Sequence, residues 1–212
     1  MGGDMIKEIL GAILIIFISI FLGIYFHQYI AGTLILSTGL LNIWYATLNK
    51  NYNYIFGALF YLLNAYISYI NGLYGIALLS LFIYLPLQID GFIRWREDIP
   101  IKSLTKSYHL FIALCIVCSI IGLALLLNMI PNQQLELLDA SSNVTNIGGI
   151  ILMNLKYQEA WYLWLTNNLF DLFIWIIKYF INGPCSCLML IVSIGYLLLN
   201  IYGIWKWKRL KI

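Results

Sequence analysis

Hydrophobic residues fill the chain in blocks of about 20, and polar clusters, Pro or paired Asn and Gly separate one block from the next. Eight membrane-spanning helices follow from that pattern: Met5 to Phe26, Tyr29 to Leu48, Tyr54 to Ile70, Tyr74 to Ile93, Tyr108 to Leu127, Asp139 to Leu155, Ala160 to Ile181 and Cys185 to Trp205. A helix of that length crosses the hydrocarbon core and satisfies its own backbone there. The sixth is the most polar. Its stretch Ser141-Ser142-Asn143-Val144-Thr145-Asn146 must turn toward protein or water rather than lipid. The first is too long for a signal-peptide core and lacks a small-x-small cleavage site, so it reads as a retained helix.

Eight spans put both termini on one side, and the basic residues support that count independently of hydropathy. Lys7, Lys50, Arg94, Arg96, Lys102, Lys106, Lys156, Lys206, Lys208, Arg209 and Lys211 share a side, and of the 12 cations only Lys178 lies toward the other. The positive-inside rule makes the shared side cytoplasmic.

The chain also resembles itself. Tyr84-Leu-Pro-Leu-Gln-Ile-Asp-Gly-Phe-Ile-Arg-Trp-Arg96 aligns with Tyr196-Leu-Leu-Leu-Asn-Ile-Tyr-Gly-Ile-Trp-Lys-Trp-Lys208 at a shift of 112, with six of thirteen positions identical and three more exchanged between Gln and Asn or Arg and Lys. Asn71-Gly72 and Asn182-Gly183 precede the two copies. The expected architecture is all-α and 1+3+1+3: residues 1–28 an additional helix, 29–96 a first three-helix repeat, 97–138 a linker with a connecting helix, and 139–212 a second repeat. Because one linker helix re-inverts the chain, the repeats run parallel, with a pseudo-twofold axis along the membrane normal and a site near the midplane between them.

Composition narrows the chemistry. With 62% hydrophobic and 10% charged residues, the chain falls outside the range of soluble domains, and its net charge of +3 is too small for a nucleic-acid footprint. Cys115, Cys118, Cys185 and Cys187 sit in apolar runs and read as packing residues. His27 and His109 lie near helix ends, so no metal site is expected, and no cofactor is implied. Without a nucleophile-base pair the chain does not read as an enzyme.

On the seventh span one face carries Trp161, Trp164, Asn168, Asp171 and Trp175. A carboxylate in hydrocarbon is costly, so Asp171 either contacts substrate or holds helices together, for instance by pairing with Lys178. The third span shows a similar stripe, Gly57, Tyr61, Asn64, Ser68 and Asn71. The fourth and eighth spans match Tyr84 with Tyr196 and Gln88 with Asn200, followed by Gly91 and Gly203; the amides either read a ligand or bind helix to helix. Pro86 removes a backbone bond and offers a hinge, and Asp90 lines the path or pairs with Arg94. Aromatic faces edged by amides suit a flat, neutral or monocationic ring bearing hydroxyls. The competing reading is a membrane scaffold in which the same stripes only hold helices together.

Gln158-Glu159-Ala160-Trp161-Tyr162-Leu163-Trp164 followed by Asn168, with Tyr74-Gly75 and Pro86-Leu87-Gln88 through Gly91 to Trp95, resembles the PnuC family of bacterial vitamin transporters, over roughly Ile30 to Trp207. The resemblance implies a SWEET-like fold, facilitated diffusion of nicotinamide riboside, a homotrimer in the bacterial inner membrane, and a cytoplasmic kinase that phosphorylates the arriving vitamin. Relatives carry thiamine, riboflavin or other nucleosides. It marks Trp161, Trp164, Asn168 and Gln88 as substrate-contacting and, more weakly, Asn64 and Tyr84; Asp171 and Asn200 are further candidates from the polar stripes alone. Asp90, Asp171 and Cys185-Ser186-Cys187 depart from the family pattern.

Overall fold

The computed structural model describes residues 2–27, 29–95, 99–182 and 187–210, so the expectations placed on Arg96, Gly183, Cys185, Ser186 and Lys211 fall outside the described residues. It is almost wholly helical: α1 (Gly2–Tyr25), α2 (Tyr29–Thr47), α3 (Tyr52–Ile70), α4 (Tyr74–Leu79), α5 (Leu85–Arg94), α6 (Lys106–Leu127), α7 (Glu136–Asn154), α8 (Ala160–Asn182) and α9 (Cys187–Leu210). One π-helical turn, Ser80–Tyr84, joins α4 to α5, so the chain forms eight rods whose bounds follow the apolar blocks closely.

Helices α2, α3 and α7 stop where the backbone turns left-handed. Asn49 (φ 59°) follows α2 and Lys156 (φ 63°) follows α7. After each, the next amide reaches back to the helix, Lys50 N–H to Tyr45 O and Tyr157 N–H to Leu152 O, the two-bond C-cap that satisfies the last carbonyls. The same cap ends α3 at Gly72 (φ 69°), where the missing Cβ makes the conformation easy. Helices α2 and α7 are both 19 residues long and start 107 positions apart, and the left-handed Asn49 and Lys156 keep that offset.

Pro86 lies in the first turn of α5, and the π turn before it absorbs the misfit. Leu85 N–H donates to Ser80 O, five residues back, so the rod widens where the proline has no N–H to give. The break in the helix expected at Pro86 is a π turn directly preceding it. Asp90, the undecided carboxylate, pairs with Arg94 at 2.6 Å on the exposed side of α5.

Five rods are long and apolar enough to cross a bilayer by composition: Met5–Tyr25, Ile30–Thr47, Tyr74–Arg94, Lys106–Leu127 and Cys187–Leu210. The other three, α3, α7 and α8, are of comparable length but carry buried amides and carboxylates on inward faces. α1 and α6 lie outermost, most of their large apolar side chains exposed, Cys115 and Cys118 of α6 among the exposed residues. α2 packs on α3, and α7 on α8. Two crossed contacts close the bundle: α2 packs on α9, and α7 packs on α4, the π turn and α5. Every described Lys and Arg except Lys178 belongs to the end of the bundle where α2, α5, α7 and α9 finish, here called the basic end.

Candidate functional site

Polar side chains converge between the two sets of crossed helices, in two tiers. The first is a central cavity of about 40 Å³, room for a few water molecules. Tyr61 and Tyr84 form one wall, their rings 4.7 Å apart. The Tyr84 hydroxyl donates to Asn143 Oδ1 at 2.5 Å, and Tyr61 shares a bond with Asn146, whose Nδ2 donates to the phenol oxygen at 3.0 Å. Asp171 faces them from α8 and accepts from Ser142 Oγ at 2.5 Å and from Asn167 Nδ2 at 3.2 Å. Asn64, Trp175 and Tyr196 also line the space. The polar run of α7 is thus the face that the cavity needs: Ser142, Asn143 and Asn146 all meet side chains across it.

The second tier lies one to two turns nearer the basic end. Trp161 and Trp164 are buried and meet edge to face at 5.5 Å. Trp161 lies over Gly203 and Trp164 over Gly149, where an added Cβ would strike the indole in each case. On the other side Gln88 lies over Gly57 beside Asn42, and also borders a lateral groove of about 310 Å³ between α3 and α5. The indole nitrogens of both tryptophans, Gln88 Oε1, Asn168 Nδ2, the Tyr196 hydroxyl and both side-chain atoms of Asn200 are buried and make no hydrogen bond within the protein. Buried polar atoms are ordinarily paired, because leaving one unpaired costs about 1–3 kcal/mol. Seven such atoms beside one cavity form a surface prepared for a ligand rich in donors and acceptors.

Each end of this core is closed differently. At the basic end an aromatic chain runs from Tyr54 to Trp95 (5.4 Å), Trp207 (6.2 Å) and Trp161 (5.6 Å), and Trp207 Nε1 donates to Ala46 O at 3.1 Å. Lys156 is buried there, its ammonium 3.6 Å from the Trp95 ring centre and 2.7 Å from Asn49 Oδ1. At the opposite end the closure is polar. Lys178 donates to Asn71 O and, at 2.6 Å, to Gln134 Oε1. Gln133 accepts the N–H of Tyr74 at 2.8 Å and donates to the buried Asp139 at 2.6 Å.

Of the residues singled out by sequence, Asn64, Tyr84 and Asp171 line the cavity, while Trp161, Trp164, Asn168, Gln88 and Asn200 are buried outside its lining. Trp161 is fully buried, so its indole does not face lipid. Nor do Asp171 and Lys178 pair: the carboxylate is occupied by Ser142 and Asn167, and the ammonium by the loop at Gln134. Ser142, Asn143, Asn146 and Asn167 were missed as site residues; the polar run of the sixth predicted span was the signal for the first three, and Asn167 stands next to Asn168 on the seventh.

A bundle of long apolar helices around a buried aromatic and amide core is the build of a small membrane transporter. The chain belongs to the PnuC family: the family model described as nicotinamide mononucleotide transporter matches residues 29–209, leaving α1 outside. A nicotinamide riboside transporter PnuC of Neisseria mucosa is 31% identical over 186 residues, covering 82% of this chain and 70% of that protein. One of the same name from Haemophilus influenzae is 27% identical over 184 residues, covering 82% and 76%. A crystal structure of the vitamin B3 transporter PnuC matches with a TM-score of 0.85 at 27% identity, covering 97% of this chain and 92% of that one. The family is one of membrane transporters, not enzymes.

Proposed function

We propose that this protein carries nicotinamide riboside across a bacterial inner membrane by facilitated diffusion. The observation that carries the reading is the second tier: the indole N–H groups of Trp161 and Trp164, Gln88 Oε1, Asn168 Nδ2 and both amide atoms of Asn200, buried and unpaired within the protein beside a cavity that holds Asp171. Indoles stack on a pyridinium ring, the amides answer ribose hydroxyls, and Asp171 balances the ring's positive charge. The names of the two relatives support the same vitamin. A cavity of about 40 Å³ is far below the 300 Å³ or more that a bound small molecule occupies, so the helices part to admit it.

The architecture behind this reading is 1+3+1+3 and SWEET-like, with all eight rods spanning the membrane. Residues 1–28 are an addition, 29–96 and 139–212 are parallel repeats, and 97–138 links them. The equal lengths of α2 and α7, their matching left-handed caps and the reciprocal crossed contacts support two repeats about one axis. The basic end faces the cytoplasm, both termini lie there, and the unit assembles as a homotrimer. Import is driven by a cytoplasmic kinase that phosphorylates the vitamin after entry. Thiamine is the second substrate the same cation-tolerant site accommodates.

Uptake into sealed liposomes tests this. Purified protein should equilibrate labelled nicotinamide riboside down its own gradient without an ion gradient, and Asn168→Ala should abolish uptake. Uptake of thiamine alone would replace the vitamin, and no uptake of either would favour the scaffold reading.

A further inference from the structure

We infer that Lys156 and Lys178 are the gates of the transport path, one at each mouth, and that each closes its mouth by clasping the residue of its own rank in the other half of the bundle. The inference rests on the two-repeat reading above and does not depend on which vitamin is carried.

The geometry is unusual in one respect. Lys156 bonds to Asn49 and Lys178 bonds to Asn71, and both partners are 107 positions away. That is the offset between α2 and α7 and between their left-handed caps. Two equivalent positions related by a twofold axis can touch only if both lie on that axis. The two clasps therefore sit on the axis at opposite ends of the bundle. Asn64 and Asp171, at the same offset, line the cavity between them. A solute moving along the axis meets one ammonium, the cavity, and then the other ammonium.

Lysine suits this task. Its stem is long and flexible, and its compact ammonium carries three donors. Both lysines are fully or almost fully buried, Lys178 at 0% and Lys156 at 2% exposure. A charge held in that way trades protein acceptors for water when it swings out to its own side. The clasps differ in their second contact. Lys156 also lies against the face of Trp95, at the end of α5, whereas Lys178 also holds Gln134 of the loop leading into α7. Each therefore joins one half of the bundle to the other only at its own end, so one can open while the other stays shut.

Side-specific labelling of a cavity thiol tests the gates. Ser193 lines the cavity and is buried, so Ser193→Cys, in a background with the four native cysteines replaced by Ala, reports entry of a membrane-impermeant thiol reagent. Lys178→Met should raise labelling from the face opposite the basic end about tenfold or more and leave the other face unchanged, because it removes both charge-assisted hydrogen bonds, to Asn71 and to Gln134, each worth at least a factor of about ten. Lys156→Asn should do the reverse; Asn removes the ammonium yet tolerates the left-handed backbone, as Asn49 does at the equivalent position. Gln134→Ala keeps Lys178 and removes one acceptor, so it should give a smaller rise on the same face as Lys178→Met if the latter folds poorly. Unchanged labelling in variants that unfold at the parent temperature would overturn the gates. An equal rise from both faces would also overturn them, because it reports a loosened bundle.

Discussion

On the two-repeat reading proposed above, Gly57 on α3 and Trp164 on α8 hold the same rank in the two halves of the bundle, 107 positions apart, and their surroundings differ accordingly. In the second half Trp164 fills the space and Gly149 gives way to it. In the first half Gly57 leaves the space to two amides, Gln88 and Asn42. Two further pairs at this offset, Tyr61 with Asn168 and Asn64 with Asp171, are also unlike. On that reading one backbone frame is used twice and furnished differently: the second half brings Trp164 and Asp171 where the first has Gly57 and Asn64, while the first brings Tyr61 where the second has Asn168.

The contrast can be broken most severely at Trp164. Trp164→Ala should abolish uptake and destabilise the fold by about 3–5 kcal/mol, read by thermal unfolding, since a buried indole is lost and its seat stays empty. Gly149→Val attacks the same contact from the other side. Its side chain meets the indole, and overpacking should cost about 1–3 kcal/mol and lower vitamin affinity, measured by calorimetry. Asp171→Asn preserves shape and removes charge, so binding of cationic vitamins should fall about tenfold or more while that of a neutral nucleoside stays unchanged. Adding Asn64→Asp to it moves the carboxylate to the equivalent wall of the cavity and should restore most of the cation binding. The smallest effect is expected at Asp90→Ala, where an exposed ion pair with Arg94 is lost: about 0.5 kcal/mol or less, with normal uptake.

Helix positions were legible in the sequence because a bilayer demands long apolar runs, and the described ends agree with the expected blocks within a few residues. The stripes on α3 and α8 were legible for the same reason, since amides and carboxylates in an apolar helix have to face inward, and they do. The register between the repeats was harder to read. Motif matching gave a shift of 112, which relates Gly91 to Gly203 and Trp95 to Trp207, but α2 and α7 are related by 107, and α8 runs five residues further than α3 at that offset. The extra residues of α8 hide this from a motif at the end of the repeat. The polar run of α7 was visible, but its partners, Tyr61, Tyr84 and Asp171, are far away in sequence and only the fold brings them together. Pro86 was the local signal of the π turn before it, whereas the lysine clasps left none, because they depend on contacts between distant helices.

The most direct test is a thermal-shift series on purified protein with nicotinamide riboside, thiamine, riboflavin, uridine, thymidine and nicotinamide mononucleotide, run in parallel on the Asn168→Ala variant. A ligand at 100 times its dissociation constant stabilises the native state by about 2.7 kcal/mol, well within reach of the measurement. The account predicts stabilisation by nicotinamide riboside in the parent and none in the variant. Equal stabilisation of parent and variant, or none by any compound in the parent, would contradict a binding site in the tryptophan and amide tier.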